Sequence, residues 1–299
     1  MEFRNREWVE LTEVSEGTAR DDNPPVETSV EPPVGRPEPS RAATTLSRPT
    51  ASISDELQVL SALHAIGADL GDPVDVSLNA DKVVVSGVGI PPQRQRQIHD
   101  VLDAMPHVSV EFSEPGQTPT PAEPAVSDAA SGGTVPAGIR QRLERQLGGQ
   151  AEFQRFASQL LDRNESAMAR AYALRKLAQR FPDAAEAAMA PVDRQTLRSM
   201  AREHASAMAV EVAAIGHVLT PVLTSAGGTA AQTQPAGSAA WQPAAEELLR
   251  RARRVEVLLS MLMGAAPGDI PAERLPSELL TALNSLGTQL DECRRLLAQ

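Results

Sequence analysis

Aromatic side chains are scarce: five Phe, two Trp and one Tyr make up 3% of the 299 residues. Because aromatic rings supply the largest buried areas per residue, their shortage predicts a core built from aliphatic side chains and Ala. A single cysteine, Cys293, excludes an intrachain disulfide and any paired-thiol zinc site. Positive charge is in deficit as well, with 28 Lys and Arg against 39 Asp and Glu. The net charge of -11 disfavours the basic footprint that non-specific nucleic-acid binding needs.

Long apolar runs are also missing from the sequence as read. A membrane-spanning helix needs roughly 18 or more nearly uncharged apolar residues. The best candidates fall short: "AMAVEVAAIGHVLTPVL" carries Glu211, His217 and Pro221, and "VEVLLSMLMGAA" is short and contains Glu256. The opening "MEFRNREWVE" lacks the apolar centre of a secretory signal.

What the chain has in abundance is proline and glycine, 24 and 19 residues, gathered into a few stretches. Residues 1–52 include a long segment rich in Pro, Glu, Ser and Thr with no apolar period, which reads as a disordered tail. Residues 114–136 read as a Pro-rich disordered linker, and residues 224–240, "TSAGGTAAQTQPAGSAA", as a mobile loop.

Between tail and linker lies a different pattern. "SISDELQVLSALHAIGADLGDP" places Ile53, Leu57, Leu60, Leu63 and Gly67 at helical spacing, opened by Ser52 and Asp55 as a capping box and closed by Gly67, Gly71 and Pro73. Two alternating runs follow, "VDVSL" and "KVVVSGVG", then a Pro-initiated helix burying Ile98, Val101, Leu102 and Met105. A third alternating run, Val108, Val110 and Phe112, ends the segment. The order is αββαβ, a small α+β module over residues 53–113. Gly87 marks a bend or close backbone approach in the second strand, and Val85, Val108 and Val110 are its core positions.

The run "VDVSLNADKVVVSGVGIPPQRQRQIHDVLDAMPHVSVEF" resembles the BON domain, an αββαβ module of bacterial envelope and periplasmic proteins. The resemblance covers about a fifth of the chain, with Gly87 at the position of the family's second-strand glycine. It implies a binding or assembly module, tied to membranes or envelope complexes, with no catalysis.

Residues 137–299 carry helical periods throughout, the mainly α part of the fold. The stripes are Phe153 to Phe181, Leu197 to Ile215, Leu248 to Leu262 and Leu279 to Leu297, with Leu283, Leu286 and Leu290 at the centre of the last. Each is narrow, like a coiled-coil seam, and needs a partner helix. A helical bundle within the chain and a coiled coil between copies, hence a homo-oligomer, both satisfy the pattern.

No reaction motif emerges. His204 sits on an apolar stripe as a core histidine, no HExxH or G-x-S-x-G stretch occurs, and Cys293 falls in the leucine register as an inert thiol. "RRARR" (Arg250, Arg251, Arg253, Arg254) and "RQRQ" (Arg94, Arg96) read as solvated or partner-facing helix surfaces. The expectation is a non-enzymatic interaction or scaffold protein of the bacterial envelope that binds a protein partner and takes no cofactor. Three other classes stay open: a lipid- or peptidoglycan-binding envelope module, the soluble part of an anti-sigma-factor-like membrane regulator, and an enzyme with an unrecognised site. The compartment stays open too, between envelope or periplasm and cytoplasm.

Overall fold

The computed structural model describes residues 50–114, 137–264 and 270–299. The expected tail, apart from residues 50–52, and the expected linker, apart from residue 114, lie outside the described residues.

Helix α1 (Ile53–Ala65) opens on the expected capping box. Ser52 Oγ accepts from the Asp55 backbone N–H at 3.2 Å, and Asp55 Oδ2 accepts from the Ser52 backbone N–H at 2.8 Å. Strands β1 (Val74–Leu78) and β2 (Val83–Val88) pair antiparallel, with Val76 opposite Val85. Helix α2 (Pro92–Leu102) then carries the chain to β3 (Val108–Ser113), which pairs parallel to β2, with Val83 opposite Val108 and Val85 opposite Val110. The sheet order is β1-β2-β3, so the most apolar strand is the central one. Val59 and Leu63 of α1, Ile98 and Leu102 of α2, and Val74, Val76, Val83 and Val85 of the strands share one core.

The single stripe expected on α1 is too narrow. Val59 is fully buried outside it, Leu57 belongs to the helical core, and Leu60 packs against both cores. The physical reason is that α1 lies between the sheet and the bundle and is covered on two sides.

The helical part consists of α3 (Ala137–Leu147), α4 (Gln150–Arg180), the short α5 (Asp183–Ala188), α6 (Pro191–Ser225), α7 (Trp241–Met263) and α8 (Leu275–Leu297). The four long helices form a ring in which α4 touches α6 and α7, and α8 touches the same two. Arg163 of α4 pairs with Glu211 of α6. Arg175 with Glu246 and Tyr172 with Arg253 run α4 antiparallel to α7, and Arg251 with the Ser285 carbonyl and Gln289 with the Ala244 carbonyl run α7 antiparallel to α8. The core is aliphatic and Ala-rich, as the aromatic shortage predicts, and every residue quoted above from the central stripes is buried in it. Trp241, at the start of α7, is anchored by its indole N–H to the buried carboxylate of Glu186 at 2.7 Å.

Two sequence expectations change. Of the stretch expected as a mobile loop, residues 224–240, the first two close α6 and residues 228–240 run as an extended strap along α8. Its backbone N–H groups at Thr229, Ala231, Ala236 and Ser238 donate to Ser277, Thr281, Gln289 and Glu292. The polar side chains of α8 thereby satisfy a backbone that has no ladder of its own. Gly228 starts the strap because a Cβ there would lie 2.8 Å from the Leu223 carbonyl. Second, α6 is long and apolar enough by length and composition to cross a membrane, although its charged residues and Pro221 argued otherwise. Here it lies in the bundle with Leu197, Met208, Ile215 and Leu223 buried.

Candidate functional site

Helix α1 ends in a Schellman turn. Gly67 has φ +69°, its N–H donates to the His64 carbonyl at 2.9 Å, and the Ala68 N–H donates to the Leu63 carbonyl at 2.8 Å. Folding the chain back this way sets Asp69 beside His64, with His64 Nδ1 at 2.7 Å from Asp69 Oδ2. The same carboxylate oxygen lies 2.9 Å from Nε2 of His204, which the apolar stripe of α6 holds in place at 1% exposure. The two imidazoles meet edge to face, ring centres 4.5 Å apart. Glu203, the neighbour of His204 on α6, brings Oε2 to 3.0 Å from the other ring nitrogen of His64.

Charge follows geometry. Burial alone would raise the Asp69 carboxyl, but hydrogen bonds from His204 and His64 outweigh it and hold the group well below the usual carboxylate range. The hydrogen bond to Asp69, helped by Glu203, raises His64 against the opposing effect of burial. Glu203 is lowered in turn, chiefly by His64. Two polar atoms in this cluster, Asp69 Oδ1 and His204 Nδ1, are buried with no hydrogen-bond partner among the described residues.

Beside the cluster a cleft of about 70 Å³ separates module from bundle, lined by Leu63, Asp72 and Val74 on one side and Lys176, Arg180 and Met200 on the other. Its rim is polar. Arg180 pairs with the buried Glu56, Lys176 donates to the Val74 carbonyl at 3.0 Å, and Ser54 donates to Asp193 at 2.8 Å. Each fragment keeps its own apolar core, and this charged layer together with Leu57 and Leu60 is what joins them.

Few of the residues singled out from the sequence belong to this site. Gly87 is where close approach was expected: a Cβ would sit 3.1 Å from the Pro73 carbonyl and run into the Ile90 side chain. Val85 is fully buried, Val108 and Val110 flank it half-buried, and Leu283, Leu286 and Leu290 are buried in the bundle.

The arginines divide. Arg94 turns inward, its guanidinium on Asp72 at 2.5 Å and on the Ile66 carbonyl at 2.9 Å, so it clasps the loop after α1 instead of facing a partner. Arg251 is likewise withdrawn from the surface, bound to Glu247 and to the carbonyls of Ser285 and Gln234. In both, a carboxylate and backbone carbonyls together hold the guanidinium against the chain. Arg96 and Arg250 stay exposed, Arg253 stacks over the Tyr172 ring at 5.3 Å, and Arg254 lies 3.6 Å from Glu278.

The clustering of His64 with Asp69 had a local signal in "HAIGAD", a histidine in the last helical turn followed by a C-capping glycine. His204 had none, because its partners come from a segment far away in the chain. No family model, curated protein or solved structure matches this chain.

Proposed function

We propose that the chain is a non-catalytic interaction protein whose small α+β module, docked on the helical bundle, binds a protein partner in the bacterial envelope. The envelope setting follows from the BON resemblance of residues 53–113. The observation that carries the reading is the joint itself: two apolar cores meet through ion pairs and only a few shared aliphatic contacts. Interfaces of that composition resemble reversible interdomain contacts more than a continuous core. A joint of this kind lets a partner bound on one part favour or oppose docking of the other.

At about 70 Å³ the cleft at the joint is smaller than the about 300–1,000 Å³ of typical small-molecule sites, which supports reading the joint as a contact between parts of the protein.

The test is affinity capture from envelope extracts on the full chain, followed by titration of the purified partner. A saturable partner whose affinity shifts about fivefold or more in the joint variant Lys176→Ala supports the proposal. Failure to capture any saturable protein, with the chain instead pelleting on anionic vesicles, overturns it in favour of the lipid-binding class.

A further inference from the structure

We propose that His64, Asp69 and His204 form a binding site for a zinc-class divalent ion that ties the module to the bundle. The proposal stands apart from the interaction role above and rests on the arrangement of donors alone.

One ligand atom from each of the three residues can be chosen so that all lie within 4.8 Å of one another. Two imidazoles and one carboxylate are the ligand types of borderline ions such as zinc, whereas calcium and magnesium prefer shells made wholly of oxygen. The donors also point at a common place. His64 Nδ1 and His204 Nε2 converge on Oδ2 of Asp69 from two different elements, at 2.7 and 2.9 Å.

Those are hydrogen-bond spacings. Bonds of about 2.0–2.2 Å in a tetrahedral shell set neighbouring ligand atoms about 3.4 Å apart. The ion therefore replaces the shared protons and opens the two contacts to Asp69 by about 0.5–0.7 Å.

Two further features mark the cluster as built for a cation. The nitrogen of His64 that faces away from Asp69 is held by Glu203 at 3.0 Å. A carboxylate on the far nitrogen of a ligating histidine fixes its tautomer and raises its basicity, which is the usual outer support of a metal-bound imidazole. In addition, Asp69 Oδ1 is buried without a partner among the described residues, leaving that oxygen free for the ion. Asp69 and His204 also line the neighbouring cleft, which has room for the water that a fourth position needs.

The ligands come from both sides of the joint: His64 and Asp69 from the module, His204 from α6. Full coordination exists only in the docked arrangement, so the ion's binding energy becomes docking energy.

The experiment uses the full chain, freed of metal with a chelator and titrated with cobalt(II), then zinc(II). Expected are one-to-one binding, visible d–d absorption of low-symmetry cobalt, its displacement by zinc, and a rise in melting temperature that magnesium does not give. Because His204 is fully buried, the variants are placed on its partners. Asp69→Asn and His64→Gln each abolish the absorption with the helical circular dichroism unchanged. Glu203→Gln, which removes only the outer support, weakens binding about 10- to 100-fold. Absence of any cobalt absorption or saturable zinc binding in the wild-type chain overturns the site and leaves a hydrogen-bonded ion cluster. Undiminished binding in the Asp69→Asn, His64→Gln double variant also overturns it, since the metal then lies elsewhere.

Discussion

Nε2 of His204 lies 2.9 Å from Oδ2 of Asp69, and this one contact links the interior of the bundle to the loop that follows α1. A fully buried imidazole on an apolar helix stripe would ordinarily find its partner within its own core. Here the partner is carried in by the loop after α1, which belongs to the other apolar core, so the hydrogen bonding of His204 depends on a contact between the two cores. The same holds for Glu56, 4% exposed on α1, which depends on Arg180 at the end of α4.

Arg180→Ala tests that dependence. It leaves Glu56 as a buried carboxylate without its cation, and breaking a buried pair in this way costs about 3–5 kcal/mol. The low end applies, because Arg180 keeps a quarter of its side chain in solvent. Replacing both residues, Glu56→Leu with Arg180→Met, recovers most of the loss if the charge left behind is the cause. Denaturant titration of both variants decides it: equal destabilisation of single and double variants would make lost packing, not the stranded charge, responsible.

Much of the fold was legible because its signals are local. The capping box at Ser52, the alternation of Val74 and Val76, the proline at the start of α2 and the leucine rhythm of α8 each depend on a few neighbouring residues. Which helix adjoins which is a long-range matter that four similar stripes do not encode.

The strap did leave a trace that composition obscured. Ser277, Thr281, Asn284, Thr288 and Glu292 fall at three- and four-residue spacing on α8, a polar ladder opposite the leucines, and each of them contacts the strap. Gly- and Ala-rich composition pointed to mobility in residues 224–240, yet small residues are also what a backbone needs to lie flat against a helix. The His64, Asp69 and His204 cluster was legible only in its first two members, since sequence spacing says nothing of a donor supplied by another element.

Gly87→Val should destabilise the module by about 1–3 kcal/mol through overpacking, because the new side chain meets Ile90 and the Pro73 carbonyl. Gly87→Ala should cost less, as Ile90 can turn aside. Hydrogen exchange of the strand amides in residues 74–112 reads the effect where it arises. Unaltered exchange in the Val variant would mean that the β1–β2 pairing shifts at no cost and that the glycine is incidental.

The capping box gives a pH dependence with a definite sign. Hydrogen bonds from the Ser52 hydroxyl and the Ser52 backbone N–H lower the Asp55 carboxyl below its ordinary value. A group depressed in the folded state contributes stability above its unfolded pKa, about 3.9 for Asp, and loses it as pH falls through the folded value. Ser52→Ala should therefore cost about 1 kcal/mol near neutrality, and the gap between variant and wild type should shrink in the acid range below about pH 4. Denaturation midpoints across that range measure it. A gap that stays constant into strong acid would show that the Asp55 charge takes no part in the cap.

Leu286→Lys probes whether the two cores are separately cooperative, and Cys293 supplies the readout. Leu286 is 3% exposed between Leu283 and Leu290, and Cys293 lies on the same stripe with no exposure at all. Burial pushes the Cys293 thiol up to about 12, so in the intact bundle it is both shielded and protonated. Truncating a buried Leu already costs roughly 2–5 kcal/mol, and an unpaired ammonium costs more. Against a typical domain stability of about 5–15 kcal/mol, the substitution should open the bundle, lower its helical circular dichroism and make Cys293 react with a neutral alkylating reagent at a rate near that of the unfolded chain. The module has its own core of Val59, Leu63, Val76, Val85, Ile98 and Leu102, so its strand amides should keep measurable protection, reduced because α1 loses the cover it takes at Leu57. If the strand amides exchange in the same step that exposes Cys293, the polar joint is strong enough to make residues 50–299 one cooperative unit. If Cys293 stays unreactive, α8 tolerates a charge at its centre and the stripe is less tightly packed than its burial indicates.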